Sequence, residues 1–188
     1  MTPSRRQRLR QAAAHRQFDL TVVLENVWDP HNVAAVLRTC DAVGVQTVHL
    51  VYTSEKFPGI GVKAAVGVKK WLTLVKHKNI NNCFRTLRRK KFRIYTSALE
   101  YGTQDLYQLN LKRPTALVFG NEHRGVSDQA RELADGEFHI PMVGFTQSLN
   151  ISVACAVALY EAVRQRRGHA NRIPPARAAL LRRWLRAA

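Results

Sequence analysis

Residues 140–154 read IPMVGFTQSLNISVA and connect the end of a short apolar strand to the start of a long helix. The strand is predicted to end at Pro141, and the helix to begin near Gln147. Ser148 is the predicted N-cap, and Asn150 lies in the first turn. The first N–H groups of a helix have no partner inside it and are available to a ligand. The transition therefore predicts a binding site at a sheet edge, although a well-capped core helix with closely packed alanines would explain the same residues.

The rest of the chain alternates between strand and helix patterns. Strands are predicted over residues 21–27, 46–52, 71–76, 92–97, 115–120 and 137–140, and helices over 31–43, 79–90, 127–134, 147–167 and 176–187. This alternation predicts an α/β fold whose sheet is mainly parallel and carries helices on both faces. Ligands of such sheets bind beyond the carboxyl ends of the strands, so the loops after 21–27, 115–120 and 137–140 are the expected places for chemistry.

Positive charge is concentrated at the two ends of the chain. The formal net charge is +17, and thirteen of these excess charges are arginines within residues 1–18 and 162–188, which contain no acid. Arginine-rich ends on a nearly neutral middle indicate a polyanionic partner, most simply a nucleic acid. A basic surface kept for solubility, or one that touches an acidic membrane, remains an alternative.

Several classes of protein are excluded by what the sequence lacks. No apolar run approaches the ~18 residues of a membrane-spanning helix, and the basic N-terminus has no apolar signal segment. Cys40, Cys83 and Cys155 are too far apart for a CxxC site, and the seven histidines have no metal-binding spacing. P-loop, GxGxxG and GxSxG motifs are also missing. We therefore expect a cytoplasmic protein with reduced cysteines and neither a membrane anchor nor a bound metal.

The loop after the first strand leads into a helix with three spaced residues of interest. Asn32, Ala35 and Arg38 follow one another at intervals of three and are expected to share one helix face. The small alanine between two polar side chains would leave room for a ligand. The alternative is that Asn32 caps the helix and Arg38 pairs with Asp41.

The loop after the strand 115–120 carries a polar tip between two glycines. It reads FGNEHRGVS over residues 119–127, and Glu122 is its only acid. Its backbone amides are placed to meet a ligand, and the carboxylate is placed to orient an arginine. An ordinary strand-to-helix turn would use similar residues.

The three loops together resemble the three signature motifs of the SpoU/TrmH branch of the SPOUT RNA methyltransferases. The resembling stretches are residues 32–44, 117–127 and 140–154, in order and with the family's spacing, within a match over about 18–165. The resemblance implies a deep C-terminal trefoil knot, a homodimer joined through the long C-terminal helices, and S-adenosylmethionine as cofactor. It implies 2′-O-methylation of a guanosine in the D-loop of tRNA. The same chemistry on ribosomal RNA or at another tRNA position, and a non-catalytic RNA-binding module, stay open.

The resemblance also implies residue roles and a division of the chain. A basic helical extension over 1–17 and another over 168–188 would flank a methyltransferase domain over 18–167. The implied catalytic residues are Arg38, Asn32, Glu122, Ser148 and Asn150. The implied cofactor-binding residues are Thr96, Ser97, Gly120, Ile140, Met142 and Leu149. The residues expected to contact RNA are Arg8, His31, Arg164 and Arg166.

Arg38 is the essential residue by this resemblance, and its chemistry limits its role. Guanidinium groups in proteins have a pKa above about 12, which makes them poor bases. We expect Arg38 to hold a phosphate and to stabilise negative charge on the ribose 2′-oxygen, while phosphate or water assists deprotonation. Asn32 and Glu122 are expected to orient Arg38, and Ser148 and Asn150 to position the methyl donor and the ribose.

Overall fold

The computed structural model describes residues 1–57, 67, 70–99, 102–167 and 174–187. Its strands are β1 Gln17–Glu25, β2 Val45–Val51, β3 Thr73–His77, β4 Arg93–Ser97, β5 Gln104–Asp105, β6 Thr115–Phe119 and β7 Gly136–His139. Its α-helices are α1 Pro3–Ala14, α2 Pro30–Ala42, α3 Ile80–Arg89, α4 Asp128–Leu133, α5 Ile151–Arg166 and α6 Pro174–Ala187, and a 3₁₀ turn covers Leu106–Gln108. The seven strands form one parallel sheet in the order β3-β2-β1-β6-β4-β7-β5.

Helices cover both faces of this sheet, as the sequence predicts. Side chains of successive strand residues point to opposite faces, so Val22 and Leu24 of β1 pack with α2 and α5. Val23, between them, packs on the other face with α3 and with Ala130 of α4. The central strands therefore consist almost entirely of buried apolar residues, which is typical of a parallel sheet buried on both sides.

Two helix starts differ from the predicted ones. Asp29, not Asn32, caps α2, because its carboxylate accepts the backbone N–H of His31 at 2.8 Å. Asn150, not Ser148, caps α5, because its Oδ1 accepts the backbone N–H of Ser152 at 2.8 Å. The segment 140–150 is consequently a longer loop than expected, and Ser148 lies in it with an exposed side chain.

Smaller differences concern elements with weak sequence signals. The third strand begins at Thr73 rather than at Trp71, and β5, which has two residues, was not predicted. Such a short strand has no apolar alternation that could reveal it. The C-cap of α2 is Val43, and Gly44 follows it with a φ of +83°, the left-handed conformation in which helices commonly end.

The two ends of the chain pack on each other. Leu9 and Ala13 of α1 contact Leu180 and Trp184 of α6 in a separate apolar cluster. Arg16 is buried beneath this pair, where it forms an ion pair with Asp41, donates to Val45 O at 3.0 Å and lies 5.0 Å from the centre of the Trp184 ring. Arg16 therefore supports the fold, whereas the arginines of α1 are exposed.

None of the helices in the described ranges is both long enough and apolar enough to cross a membrane.

Candidate functional site

A cavity of about 420 Å³ opens where β4, β6 and β7 end. These strands are neighbours in the sheet, so their carboxyl ends meet at one edge, as expected for ligand sites of parallel sheets. The volume lies within the roughly 300–1,000 Å³ that is common for small-molecule sites. Eight of the predicted site residues line it, and these are Ser97, Gly120, Glu122, Ile140, Met142, Ser148, Leu149 and Asn150.

One wall of the cavity is a tight loop that only glycine allows. Asn121 and Gly125 bond to each other through both backbone amides, at 2.9 and 2.8 Å, and fold the loop back on itself. A Cβ atom on Gly120 would overlap the backbone carbonyl group of Gly125. Gly125 itself has a φ of +68°, in the left-handed region. The loop therefore brings bare backbone to the cavity, where a ligand can approach it closely.

Asn121 holds this loop from inside, and sequence reasoning missed it. Its Nδ2 donates to Asn26 O at 2.8 Å, and its Oδ1 accepts the backbone N–H groups of His123 and Arg124 at 2.9 and 3.2 Å. The side chain thus ties the loop after β6 to the end of β1. The sequence signal for Asn121 is its position directly after Gly120, at the end of a predicted strand.

Glu122 binds the loop that follows β1 rather than an arginine. Its carboxylate accepts the backbone N–H groups of Trp28 and Asp29 at 2.9 and 3.2 Å, and Nδ2 of Asn32 at 2.8 Å. Burial raises the pKa of Glu122, whereas the hydrogen bonds from Asn32, Trp28 and Asp29 lower it. The hydrogen bonds together have the larger effect, so the pKa lies below its ordinary value. The carboxylate is therefore ionised at neutral pH and acts as a fixed acceptor.

We expect Glu122→Gln to destabilise the protein by about 1 kcal/mol at neutral pH, since an amide cannot accept all three hydrogen bonds. A carboxylate with a lowered pKa contributes stability above the pKa of its unfolded state, about 4.3, and loses that contribution as the pH falls through the folded value. The difference between the two proteins in denaturant unfolding should therefore shrink below about pH 4. A constant difference from pH 7 to pH 3 would contradict this role of the charge.

Asn32 connects the three loops to one another. It donates to Glu122, and its Oδ1 accepts Nδ2 of Asn150 at 3.0 Å. Asn150 in turn caps α5. A hydrogen-bonded chain thus runs from the loop after β6, through the first turn of α2, to the start of α5. The three segments singled out in the sequence meet in space, and side chains that are predicted to be catalytic make the connection.

The predicted common face of Asn32 and Arg38 is wrong. An α-helix turns about 100° per residue, so residues six apart lie about 120° from each other around the axis. Asn32 is buried, whereas Arg38 is exposed and has no hydrogen bond or ion pair with any residue that the structure describes. Within one chain, neither Asn32 nor Glu122 orients Arg38. The alternative pairing with Asp41 is also absent, because Asp41 pairs with Arg16.

The positions of Thr96 and Arg166 do not favour their predicted roles, which are cofactor binding and RNA contact. Thr96 is fully buried in β4 and does not line the cavity, which its neighbour Ser97 does. Arg166 is held inside the fold, donating to Asp19 at 2.8 Å and to Leu111 O at 2.7 Å. Its guanidinium group is thereby committed to joining α5 to the sheet and is not available to a phosphate.

The other residues expected to contact RNA are at the surface. Arg8 and His31 are exposed, and Arg164 is exposed while paired with Glu161 at 2.7 Å. The cavity also has an apolar side that was not predicted, formed by Phe119 and Phe138 with ring centres 6.1 Å apart. Their signal is only that each lies near the end of a strand.

Comparison with known proteins gives a consistent result. A model of the SpoU rRNA Methylase family matches residues 19–160. The tRNA (guanosine(18)-2′-O)-methyltransferase of Thermus thermophilus is 46% identical over 165 residues, which are 88% of this chain and 84% of that protein.

Solved structures agree with this match. The crystal structure of the TrmH/SpoU tRNA modifying enzyme of Aquifex aeolicus superimposes with a TM-score of 0.88 and 34% identity over 98% of this chain and 96% of that one. The SpoU methyltransferase AviRb of Streptomyces viridochromogenes, in complex with AdoMet, superimposes with a TM-score of 0.73 and 27% identity over 80% of this chain and 62% of that one.

Proposed function

The chain belongs to the SpoU methylase family, and on that premise we propose that it methylates the ribose 2′-hydroxyl of guanosine 18 in tRNA. The methyl donor is S-adenosylmethionine. The observation that carries this proposal is the hydrogen-bonded chain Glu122–Asn32–Asn150, because it joins all three predicted motifs and its two end members line the cavity. The protein is thus an RNA methyltransferase, and guanosine 18 is the nucleotide that we propose it methylates.

The cavity suits the methyl donor in size and chemistry. Backbone without a side chain at Gly120 offers hydrogen bonds to a purine, and Ile140, Phe119 and Phe138 offer an apolar surface to it. Met142 and Leu149 line the same space. When bound there, S-adenosylmethionine supplies an electrophilic methyl group on a sulfonium. The chain's own residues must then place the ribose and manage charge on its 2′-oxygen.

Arg38 is the group that we assign to this charge. A ribose hydroxyl loses its proton as its oxygen forms the new bond to carbon, and negative charge develops on that oxygen. A protonated guanidinium stabilises such charge and binds a neighbouring phosphate through two parallel hydrogen bonds. The proton leaves to water or to the phosphate. We assign to Ser148, which lines the cavity, the role of holding donor and ribose in register, and to Asn150, whose side chain caps α5 and donates to Asn32, the role of fixing the position of the neighbouring loop.

A homodimer would explain surfaces that one chain leaves uncovered. Val153 and Tyr160 lie seven residues apart on α5, hence on one face, and are 47% and 58% exposed. An exposed apolar stripe on a helix indicates a protein interface. Arg38 is exposed as well and lacks a partner among the described residues. These features support a dimer in which α5 packs against its copy and both chains build each site.

We expect Tyr160→Glu to convert the dimer to a monomer and to abolish methyl transfer, because a carboxylate would be buried in the interface. Light scattering after size-exclusion chromatography measures the mass. Tyr107→Glu is the matched control, since Tyr107 is 52% exposed but lies outside α5. A Tyr160→Glu protein that stays dimeric would contradict the assigned interface.

The paired helices α1 and α6 are the proposed grip on tRNA. Exposed arginines cover this pair, among them Arg8, Arg182 and Arg186. Substituting these three with alanine should weaken tRNA binding about tenfold or more and lower the slope of log K against log salt by about one per charge removed. Arg85, Arg89 and Lys91, on and just after α3, form the control triple with the same change in charge. If both triple variants lose the same affinity for tRNA, binding depends on the total charge of the protein and not on the position of these arginines.

Membership of the family also implies a knotted chain. The segment 140–150 and α5 follow β7 directly, and β7 lies between β4 and β5 in the sheet. We propose that this segment passes through the loop before β6 and closes a trefoil knot, in contrast to nearly all folds. When the protein is unfolded by pulling on its termini, its extended length should then be shorter than that of an unknotted chain.

The three described cysteines are unpaired, which supports the proposed cytoplasmic location.

The substrate is tested with unmodified RNA transcripts and labelled methyl donor. A tRNA transcript should be methylated, and the same transcript with 2′-deoxyguanosine at position 18 should not. A fragment of ribosomal RNA is the competing substrate, because the chain belongs to the SpoU rRNA Methylase family. Methylation of that fragment with the tRNA left unmodified would overturn the proposed substrate and keep the proposed chemistry.

A further inference from the structure

Three metal-ligating side chains meet at a place remote from the cavity. His49 belongs to β2, His77 is the last residue of β3, and Cys83 lies in α3. None of the three lines the cavity. In the parallel register Val51 lies beside His77, and His49 shares the face of Val51 because it is two residues away. That face is the one that α3 covers through Cys83 and Phe84.

The three possible ligand atoms lie close together, and the two imidazoles hydrogen-bond to each other. A ring nitrogen of each imidazole and Sγ of Cys83 lie within 4.8 Å of one another. Nδ1 of His49 is 2.8 Å from Nε2 of His77. Zinc with Zn–N distances of about 2.0 Å and a tetrahedral angle sets two ligand nitrogens about 3.3 Å apart. The two imidazoles therefore need to move apart by only a fraction of an ångström for both nitrogens to bind one zinc ion.

The cluster combines the ligands that zinc prefers. Imidazole nitrogen and thiolate sulfur suit zinc, whereas magnesium and calcium require oxygen ligands. His49 and Cys83 are 3% and 0% exposed, and His77 is half-buried, so the cluster is open on the side of His77. This combination is not visible in the sequence, where 28 residues separate the two histidines.

Burial disfavours the charged forms of the three side chains when no metal is bound. Burial lowers the pKa of His49 to about 3, with further contributions from His77 and Lys90, and burial also lowers that of His77. Burial, with a contribution from Glu25, raises the pKa of Cys83 to about 12. A bound zinc ion would replace the thiol proton, which goes to solvent, and would form the Zn–S bond in its place.

We propose that His49, His77 and Cys83 form a zinc site with three protein ligands and a water molecule in the fourth position. The ion would tie the edge strand β3 to β2 and to α3. Because the cluster is separate from the cavity, the ion would take no part in methyl transfer. Zinc should therefore raise the melting temperature without changing turnover.

The test uses the full chain without an affinity tag, stripped with a chelator and titrated with zinc against a chromophoric competitor. We expect one zinc per chain, and an affinity about 100-fold lower in Cys83→Ala and in His77→Gln. Cobalt(II) should give a thiolate charge-transfer band that is absent in Cys83→Ala. Cys40→Ala is the control, because Cys40 is equally buried but lies in the cluster on the other face of the sheet.

The outcomes separate the alternatives. Zinc bound equally by the wild type, Cys83→Ala and His77→Gln would overturn the site, as would the lack of any stoichiometric zinc. If Cys83→Ala does not fold, His77→Gln at the half-buried position decides alone. We expect Cys83→Ala and His77→Gln to lose zinc and to keep methyl transfer. A result that overturns the zinc site therefore does not affect the proposed function.

Discussion

Arg38→Ala should lower the turnover of methyl transfer by about 10²- to 10³-fold, the usual cost of removing a group that stabilises developing charge. The substitution should not affect folding, because Arg38 is exposed and makes no hydrogen bond or ion pair with the residues that the structure describes. Affinity for S-adenosylmethionine should also be unchanged, since Arg38 does not line the cavity. Single-turnover kinetics and calorimetry measure the two effects separately.

Arg38→Lys separates charge from geometry. Lysine keeps the positive charge but lacks the planar fork that binds a phosphate through two hydrogen bonds. We expect Arg38→Lys to recover only a small part of the lost turnover. Activity of Arg38→Lys near that of the wild type would contradict the need for the fork. Arg85→Ala, a substitution of an exposed arginine on α3, controls for the general loss of surface charge.

Gly120→Ala should weaken the binding of S-adenosylmethionine about 10- to 100-fold. The added Cβ overlaps the backbone of Gly125, so the loop between them must open, and overpacking of this kind costs about 1–3 kcal/mol. Opening the loop also breaks the paired amides of Asn121 and Gly125. Calorimetry with the methyl donor alone measures this effect without RNA.

Gly144→Ala is the matched control for this substitution. Gly144 lies in the loop between β7 and α5, and a Cβ there would meet no atom within 4 Å. We expect its affinity for the methyl donor to equal that of the wild type. If both alanine variants bind the donor normally, the loop at Gly120 does not form the wall of the donor site.

The sequence predicts well those features that depend on local patterns. Apolar runs such as 115–120 identify buried strands, and Ser127, at the predicted start of its helix, caps α4 by accepting the backbone N–H of Ala130 at 3.2 Å. Alternation of strand and helix predicts the parallel sheet, and hence the edge at which Gly120 and Ile140 meet.

Features that depend on long-range contacts are missed. Helix spacing alone placed Asn32 and Arg38 together, although six residues turn the helix too far for that. Asn150 rather than Ser148 caps α5, since only the fold shows which side chain reaches the free N–H groups. The burial of Arg166 and the meeting of His49 with His77 likewise arise from residues distant in the chain.

The position of the methyl group in the product RNA decides whether the protein is a guanosine 18 ribose methyltransferase. Unmodified tRNA is incubated with the purified protein and isotopically labelled S-adenosylmethionine, digested with a guanosine-specific ribonuclease and analysed by mass spectrometry. We expect one added methyl group per tRNA, on the ribose of guanosine 18. A methyl group on a base, or on the ribose of any other nucleotide, would contradict it.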